Sequence, residues 1–181
     1  MRSVIRGTPI LLATAVMVAA SCGGGGENGS TPASSPAVNA TSAPLLPTDT
    51  LALPTFDFVR FNQLLSQLEG TPVVVNIWGS WCGPCREEGP RLADAARRYG
   101  DRVQFIGIDD KDDRGSARSF IREMGWTYPS LFDPTESIKT GLGFLGVPDT
   151  MFFDATGDRV AVASGPMSAE DLEAGIRKIL G

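Results

Sequence analysis

The length, charge and residue counts of this chain limit the chemistry it can perform. Its 181 residues are enough for one globular domain and some additional chain. The formal net charge of −5 excludes a basic surface for nucleic acid or anionic lipid. Histidine is absent and cysteine occurs three times, which excludes histidine-based triads, His-bound zinc and a disulfide scaffold. Thiols, carboxylates and the backbone remain as carriers of chemistry.

Residues 1–21 have the pattern of an export signal. Arg2 and Arg6 precede an apolar run over residues 9–20, and small residues follow it. A positive start, a short apolar core and small residues at the end are typical of secretory signal peptides. The apolar run is about half the length that a membrane-spanning helix needs, so no permanent transmembrane segment is predicted.

Cys22 is a candidate lipidation site. Residues 19–22 resemble a bacterial lipobox, although Ala19 stands where leucine is usual. Residues 22–50 are rich in Gly, Ser, Thr, Pro and Ala, a composition that forms a flexible linker rather than a core. The sequence therefore predicts a lipoprotein held at the extracytoplasmic face of the cell membrane by lipidated Cys22. The alternative is a secreted protein in which Cys22 is an incidental free thiol.

Residues 51–181 form the predicted globular domain. The spacing of apolar residues predicts strands at 55–60, 73–78, 103–108, 129–133, 150–153 and 159–163. It predicts a helix from residue 61 that Gly70 ends, one from the two cysteines to Tyr99, and others at 116–124, 135–141 and 168–180. The acidic run at 109–113 is interpreted as a solvated loop between a strand and a helix. This order implies an α/β fold with a mixed central sheet and helices on both faces.

The pair Cys82 and Cys85 lies where a buried strand is followed by a helix. Cys82 then falls at the helix N-terminus, where free N–H groups and the helix dipole favour its thiolate, the form that attacks disulfides. Cys85 lies one turn further on, so the two sulfurs can close a disulfide within the helix. Pro84 suits an early helical position, and Gly83 leaves the approach to the sulfur open. Trp81 is placed to shield one side of it.

Two structural explanations compete with a redox dithiol. A two-residue spacer gives a strained and reducible disulfide, which argues against a purely structural bond. A zinc site needs a second Cys or His pair, and the sequence contains none. The sequence therefore predicts a redox-active dithiol and predicts neither a metal nor a cofactor.

Further motifs surround the dithiol. Residues 73–88 read Val-Val-Val-Asn-Ile-Trp-Gly-Ser-Trp-Cys-Gly-Pro-Cys-Arg-Glu-Glu, Pro90 follows, and Gly-Val-Pro stands at 146–148. With these motifs the sequence resembles the thioredoxin superfamily, and more closely its TlpA/ResA-type membrane-tethered branch. The resemblance implies a thioredoxin-like three-layer fold over most of residues 53–181. It also implies that Pro148 is cis and faces the dithiol, and that Val147 offers its backbone to a substrate strand.

Asn76 marks a difference from cytoplasmic thioredoxin. In that protein a buried Asp six residues before the first cysteine helps to move protons from the second cysteine, whereas Asn is common there in the TlpA/ResA-type branch. Because Asn cannot take a proton, Glu87 or Glu88 is a candidate acceptor. Carboxylates in the first turns of a helix are, however, usually solvated, and that is the expectation for both residues.

The predicted function is extracytoplasmic thiol–disulfide exchange between the Cys82–Cys85 pair and protein thiols, in cytochrome c maturation or oxidative folding. The predicted partners are protein thiol or disulfide substrates and an upstream membrane redox protein. A peroxiredoxin-like peroxidase is less favoured, because that family has Thr three residues before its reactive cysteine and this chain has Gly79. A Cu(I)-binding lipoprotein is a third alternative, since Cys-x-x-Cys holds soft metals, but no Met clusters beside the dithiol in the sequence.

Overall fold

The computed structural model describes residues 43–181, so the predicted signal segment and Cys22 lie outside the described residues. The strands are β1 (Val73–Trp78), β2 (Gln104–Asp110), β3 (Ser130–Asp133), β4 (Asp149–Phe153) and β5 (Arg159–Ser164). The helices are α1 (Phe58–Gln67), α2 (Gly83–Tyr99), α3 (Arg114–Met124), α4 (Ser137–Gly141) and α5 (Ala169–Leu180). Within residues 43–181, no helix combines the length and the apolar character needed to cross a membrane.

The five strands form one mixed sheet in the order β3-β2-β1-β4-β5. Strand β1 is parallel to β2, and β2 to β3, whereas β4 is antiparallel to both β1 and β5. The parallel pairs are joined through α2 and α3, because a parallel connection needs a long crossover. The central position of β1 explains why all six of its residues are buried, Asn76 included, since both of its faces are covered.

Alternate residues of β1 face two separate apolar clusters. Val74 and Trp78 belong to a cluster with the inner faces of α2, α3 and α5. Val73, Val75 and Ile77 belong to the other cluster, which includes residues of α1 and α4. The described part of the chain therefore has three layers, with the sheet between two groups of helices. This arrangement confirms the predicted α/β fold.

The predicted strand over residues 55–60 is wrong. Asp57 instead caps α1, because its side chain accepts a hydrogen bond of 2.8 Å from the backbone N–H of Arg60. Such a cap satisfies one of the free N–H groups at the start of a helix and favours helix over the alternating apolar pattern. Within this segment Thr55 makes an isolated bridge to Phe132.

The acidic run at 109–113 is not a solvated loop throughout. Strand β2 continues through Asp109 and Asp110, and these residues expose 0% and 1% of their surface. Asp109 lies opposite Trp78 of β1 on one side and Phe132 of β3 on the other. The prediction failed here because the backbone pairing of β2 extends two residues beyond its apolar run. In the sequence those two residues are charged, which is typical of a solvated loop and not of a buried strand.

The described chain before α1 also packs on the domain. Leu45 and Leu46 are half-buried against the cluster on the α1 and α4 side of the sheet. The backbone N–H of Leu45 donates to Gln67 Oε1 at 2.9 Å. On the other side, Arg118 of α3 donates to the Leu51 carbonyl at 2.9 Å. These contacts hold the start of the described chain along the domain.

Close packing of α5 on the sheet gives a test of the fold. A Cβ added to Gly175 would lie 2.3 Å from the ring of Phe152, which is 2% exposed and cannot move aside. We expect Gly175→Ala to lower the free energy of unfolding by about 1–3 kcal/mol, despite the higher helix propensity of alanine. Denaturant unfolding measures it. Gly146→Ala is the control, since its Cβ meets no atom within 4 Å, and equal stability of both variants would contradict the packing.

Candidate active site

The two cysteines form a disulfide at the start of α2. Cys82 is the N-cap residue of this helix, and its Sγ accepts a hydrogen bond of 3.1 Å from the backbone N–H of Cys85. Pro84 lies in the first turn, where its missing N–H leaves no bond unmade. Cys82 is 4% exposed and Cys85 is 1% exposed. The helix N-terminus therefore points at the Cys82 sulfur, and its position favours the thiolate of that residue over that of Cys85.

The approach to the dithiol is open at Gly83. A Cβ at this position would meet no atom within 4 Å, so the first turn of α2 presents bare backbone. Trp81 is 58% exposed, and its indole N–H donates to the carbonyl of Asp110 at 3.3 Å. The same indole covers Gly79, where a Cβ would lie 2.6 Å from Trp81 Nε1. That Trp81 shields the sulfur itself stays a prediction.

The loop before β4 ends at the same edge of the sheet as β1. The peptide bond between Val147 and Pro148 is cis. Asp149, the next residue, pairs with Ile77 in the antiparallel register of β1 and β4, so Pro148 lies beside the C-terminal end of β1. That Pro148 faces the dithiol stays a prediction. Val147 is half-buried and packs against both apolar clusters, one of which contains the two cysteines. The contact of Val147 with a substrate strand stays a prediction.

Glu88 is buried, and the expectation that it is solvated is wrong. It exposes 2% of its surface. Its Oε1 accepts a hydrogen bond of 2.8 Å from Asn76 Nδ2, and its Oε2 accepts one of 3.0 Å from the backbone N–H of Met167. Asn76 Nδ2 also donates to Thr150 Oγ1 at 3.0 Å. Glu87, in contrast, is exposed as expected. The carboxyl group near the dithiol thus comes from α2 and is held by the Asn of β1.

The surroundings of Glu88 raise the pKa of its carboxyl group. Burial raises the pKa of this carboxyl above its ordinary value, and the nearby Asp149 carboxylate raises it further, although the hydrogen bonds from Met167 and Asn76 act in the opposite direction. Burial also raises the pKa of Tyr128, whose hydroxyl has no hydrogen-bond partner among the described residues. Glu88 is therefore a group that can hold a proton, one helical turn after Cys85.

One signal in the sequence could have identified Glu88 as buried. It follows Cys85 by three residues, and residues three apart share one face of a helix. Since Cys85 must face inward to reach Cys82, the same face carries Glu88 into the protein. The exposure of Glu87 follows from the same periodicity. Successive residues of a helix are rotated by about 100° around its axis, so Glu87 points away from the face that carries Glu88.

The raised pKa of Glu88 predicts a specific dependence of stability on pH. Between the ordinary value of 4.5 and the raised value, the folded protein binds more protons than the unfolded chain, so stability falls as pH rises. We expect Glu88→Gln to gain stability relative to the wild type across this window, by about 1.4 kcal/mol per unit of pKa separation. Urea unfolding at a series of pH values measures it. Glu87→Gln is the control, and a parallel pH profile for the wild type and Glu88→Gln would contradict the assignment.

Comparisons with known proteins agree with this site. The model of the AhpC/TSA family matches residues 51–160, more than half of the chain. The thiol:disulfide interchange protein HelX of Rhodobacter capsulatus is 34% identical over 103 residues, 56% of this chain and 57% of that protein. The thiol:disulfide interchange protein DsbE of Escherichia coli K12 is 39% identical over 99 residues, 54% of this chain and 52% of that protein. The chain thus matches little more than half the length of these relatives.

Solved structures show the same architecture. A DsbF homologue from Corynebacterium diphtheriae is 33% identical, with a TM-score of 0.58 over 63% of this chain and 75% of that one. A secreted disulfide oxidoreductase of Mycobacterium tuberculosis, homologous to Escherichia coli DsbE, is 26% identical, with a TM-score of 0.58 over 62% of this chain and 85% of that one. The chain therefore belongs to the AhpC/TSA family of the thioredoxin superfamily.

Proposed function

We propose that this protein exchanges its Cys82–Cys85 dithiol or disulfide with thiols of other proteins. The observation that carries the proposal is the position of the Cys82 sulfur at the N-terminus of α2, with Cys85 beside it in a closed disulfide. This geometry supports Cys82 as the thiol that attacks and the more buried Cys85 as the thiol that resolves. The names of the relatives, which describe thiol:disulfide interchange, support the same activity.

The exchange proceeds in two balanced steps. The Cys82 thiolate attacks one sulfur of a substrate disulfide, which forms a mixed disulfide and releases the other substrate sulfur as a thiolate that takes up a proton. Cys85 then loses its proton and attacks the Cys82 sulfur, which closes the Cys82–Cys85 disulfide and releases the second substrate thiol. Two electrons pass from the dithiol to the substrate, and the two protons that the substrate sulfurs take up balance those released when Cys82 and Cys85 ionise. Oxidation of a substrate dithiol is the reverse of these steps.

Glu88 is the proposed proton acceptor for Cys85. Cys85 is buried and must lose a proton before it can attack, and Asn76 cannot receive one. Glu88 is three residues along the same helix face, and burial raises its pKa, which makes its carboxylate a stronger base than an exposed one. The hydrogen bonds from Asn76 and Met167 fix the orientation of its carboxyl group.

The substrate is proposed to bind across Gly83 and the loop that ends at Pro148. Gly83 offers open backbone beside Cys82, and Val147 precedes the cis bond at the same edge of the sheet. An extended substrate segment beside Val147 would place its own sulfur over the Cys82 sulfur, with Trp81 exposed at the rim. Backbone pairing of this kind binds many sequences, because it does not depend on side chains.

The two alternative functions have less support. A threonine three residues before the reactive cysteine, as in peroxiredoxins, would replace Gly79, and the indole of Trp81 leaves no space for its Cβ. Peroxide turnover by the purified protein at rates near those of thiol exchange would reverse this ranking. For Cu(I) binding, copper retained in stoichiometric amount after dialysis would favour the metal-binding alternative.

The direction of electron flow separates two cellular roles. Reduction of protein disulfides to thiols, as in cytochrome c maturation, needs a couple near the potential of thioredoxin, about −270 mV, whereas oxidative folding needs a value nearer about −120 mV. Equilibration of the purified protein with glutathione buffers measures the potential of the Cys82–Cys85 couple. An upstream membrane redox protein is the proposed partner that restores the working form in either role.

The exchange activity predicts a difference between the two cysteines. In Cys85→Ser the resolving thiol is missing, so mixed disulfides of Cys82 with substrate proteins should accumulate and be visible on non-reducing gels. In Cys82→Ser no attack takes place, and we expect at least a tenfold lower yield of such adducts, since buried Cys85 lacks the helix N-terminus. Equal trapping by both variants, or by neither, would contradict the proposed function.

We also propose that Cys22 is lipidated and holds the domain at the extracytoplasmic face of the cell membrane. The support is the lipobox-like segment at 19–22 and the linker composition of residues 22–50. We expect the wild type in the membrane fraction and Cys22→Ser in the soluble fraction or the medium, with Cys82→Ser unchanged as the control. Mass spectrometry of the mature N-terminus identifies the lipid. Release of the wild type into the medium would favour simple secretion.

A further inference from the structure

The turn that leads into the dithiol is held from outside by the loop after β2. Gly79 and Cys82 close this turn through a hydrogen bond of 3.1 Å from the N–H of Cys82 to the carbonyl of Gly79. Ser80, inside the turn, donates its backbone N–H to Asp112 Oδ2 at 2.5 Å and its hydroxyl to Asp112 Oδ1 at 2.9 Å. The carboxylate of Asp112 thus binds both polar hydrogens of one residue, two positions before Cys82.

Asp112 is itself in contact with a buried carboxyl group. Asp109, at 0% exposure, has no hydrogen-bond donor for either carboxylate oxygen among the described residues. Two carboxyl groups can bond to each other only through a shared proton, so a hydrogen bond between Asp109 and Asp112 requires one of them to be an acid. Burial raises the pKa of Asp109 to about 9, with a further contribution from the charge of Asp112. A carboxyl group with this pKa is protonated at neutral pH and can donate a hydrogen bond toward Asp112.

The other charged groups around Asp109 do not replace this proton. Asp110 raises the pKa of Asp109, and Arg114 is the group that lowers it. The guanidinium of Arg114 is, however, bonded elsewhere, with Nε donating to the carbonyl of Leu53 at 3.1 Å and Nη2 to Thr55 Oγ1. If Asp109 were ionised, its negative charge would face that of the Asp112 carboxylate, and no positive group among the described residues would contact both carboxylates.

We propose that Asp112 is a positioning residue for the dithiol, and that the buried carboxyl group of Asp109 holds it in place. Because Asp112 fixes both hydrogens of Ser80, it sets the turn that presents the Cys82 sulfur to the N–H of Cys85 at the start of α2. Bonds to an ionised acceptor are the stronger kind, so this contact restrains the turn more than a neutral one would. This inference rests on the proposed exchange function, since it concerns how Cys82 is activated.

The charge and the position of Asp112 have opposite effects on the Cys82 thiol. If Asp112 acts only through its negative charge, removing it lowers the pKa of the thiol, because a nearby anion disfavours a thiolate. If Asp112 acts by holding the turn, removing it loosens the alignment of the sulfur with the helix N-terminus and raises that pKa. The sign of the change in the pKa of Cys82 therefore distinguishes a positioning role of Asp112 from a direct effect of its negative charge.

The test measures the pKa of Cys82 in the reduced full-length protein, from the thiolate absorbance and from the pH dependence of alkylation. We expect Asp112→Ala to raise this pKa by about one unit, roughly tenfold less thiolate at a fixed lower pH. Ser80→Ala removes the hydroxyl but keeps the backbone N–H, so it breaks one of the two hydrogen bonds to Asp112. It should raise the pKa of Cys82 by less than Asp112→Ala does. A fall in the pKa, or no change, for folded Asp112→Ala overturns the proposal.

Asp109 provides a rescue experiment. Asp109→Asn retains a donor toward Asp112 at the same position and should keep the wild-type thiol pKa, whereas Asp109→Ala should behave like Asp112→Ala. Asp113→Asn is the matched control, because it removes a neighbouring negative charge but touches Ser116 rather than Ser80. Equal shifts in Asp109→Asn and Asp109→Ala overturn the role of the shared proton. Failure of the wild type to exchange with any protein disulfide would overturn the proposed function separately, while the thiol pKa comparison remains readable.

Discussion

Strand β1 ends at Trp78 in the middle of the sheet, and the chain then turns within four residues so that the Cys82 sulfur caps α2. The cap is possible because both ends of this short connection are fixed. Strand β1 is covered on both faces, and α2 is held on the sheet by buried residues on its inner face, such as Leu92 and Ala96. The sulfur that would react is thus positioned by packing, and the remaining parts of the site are arranged around it.

Two buried carboxyl groups near the dithiol are the candidates for proton transfer in this chain, whose sequence contains no histidine. Glu88 lies beyond the dithiol on α2, and Asp109 lies behind the turn that precedes it. Burial raises the pKa of both, to about 9 for Asp109. The two groups differ in their partners, because Glu88 accepts hydrogen bonds from an amide and a backbone N–H, whereas Asp109 faces another carboxylate.

The adjacent residues Asp109 and Asp110 show how one strand accommodates two buried carboxyl groups. Successive residues of a strand face opposite sides of the sheet. Asp110 therefore points toward α4, where its Oδ2 bonds to Lys139 Nζ at 2.8 Å. Asp109 points toward α2 and α3 and meets no amine within hydrogen-bond distance among the described residues. The same residue type becomes half of an ion pair on one side and an acid on the other.

The sequence by itself determined the elements whose pattern is local. The apolar run of β1, the cap and Gly-Pro at the start of α2, the capping box of α5 and the alternation of strands and helices were sufficient to predict the α/β fold and to single out Cys82 and Cys85. The motif resemblance also identified the proline that proved to be cis. Segment 55–60 was misread, because a single capping side chain decided its structure.

Only the tertiary structure decided which charged residues are buried and what each of them contacts. Glu88 and Asp109 look like ordinary surface residues in the sequence, next to others that are exposed. Their burial depends on helix phase, on the length over which β2 pairs with its neighbours, and on loops brought together from positions 80 and 112. The free energy of a charged group depends on every group within a few ångströms of it, and for Glu88 those groups include Asn76 and Met167, which are distant in the chain.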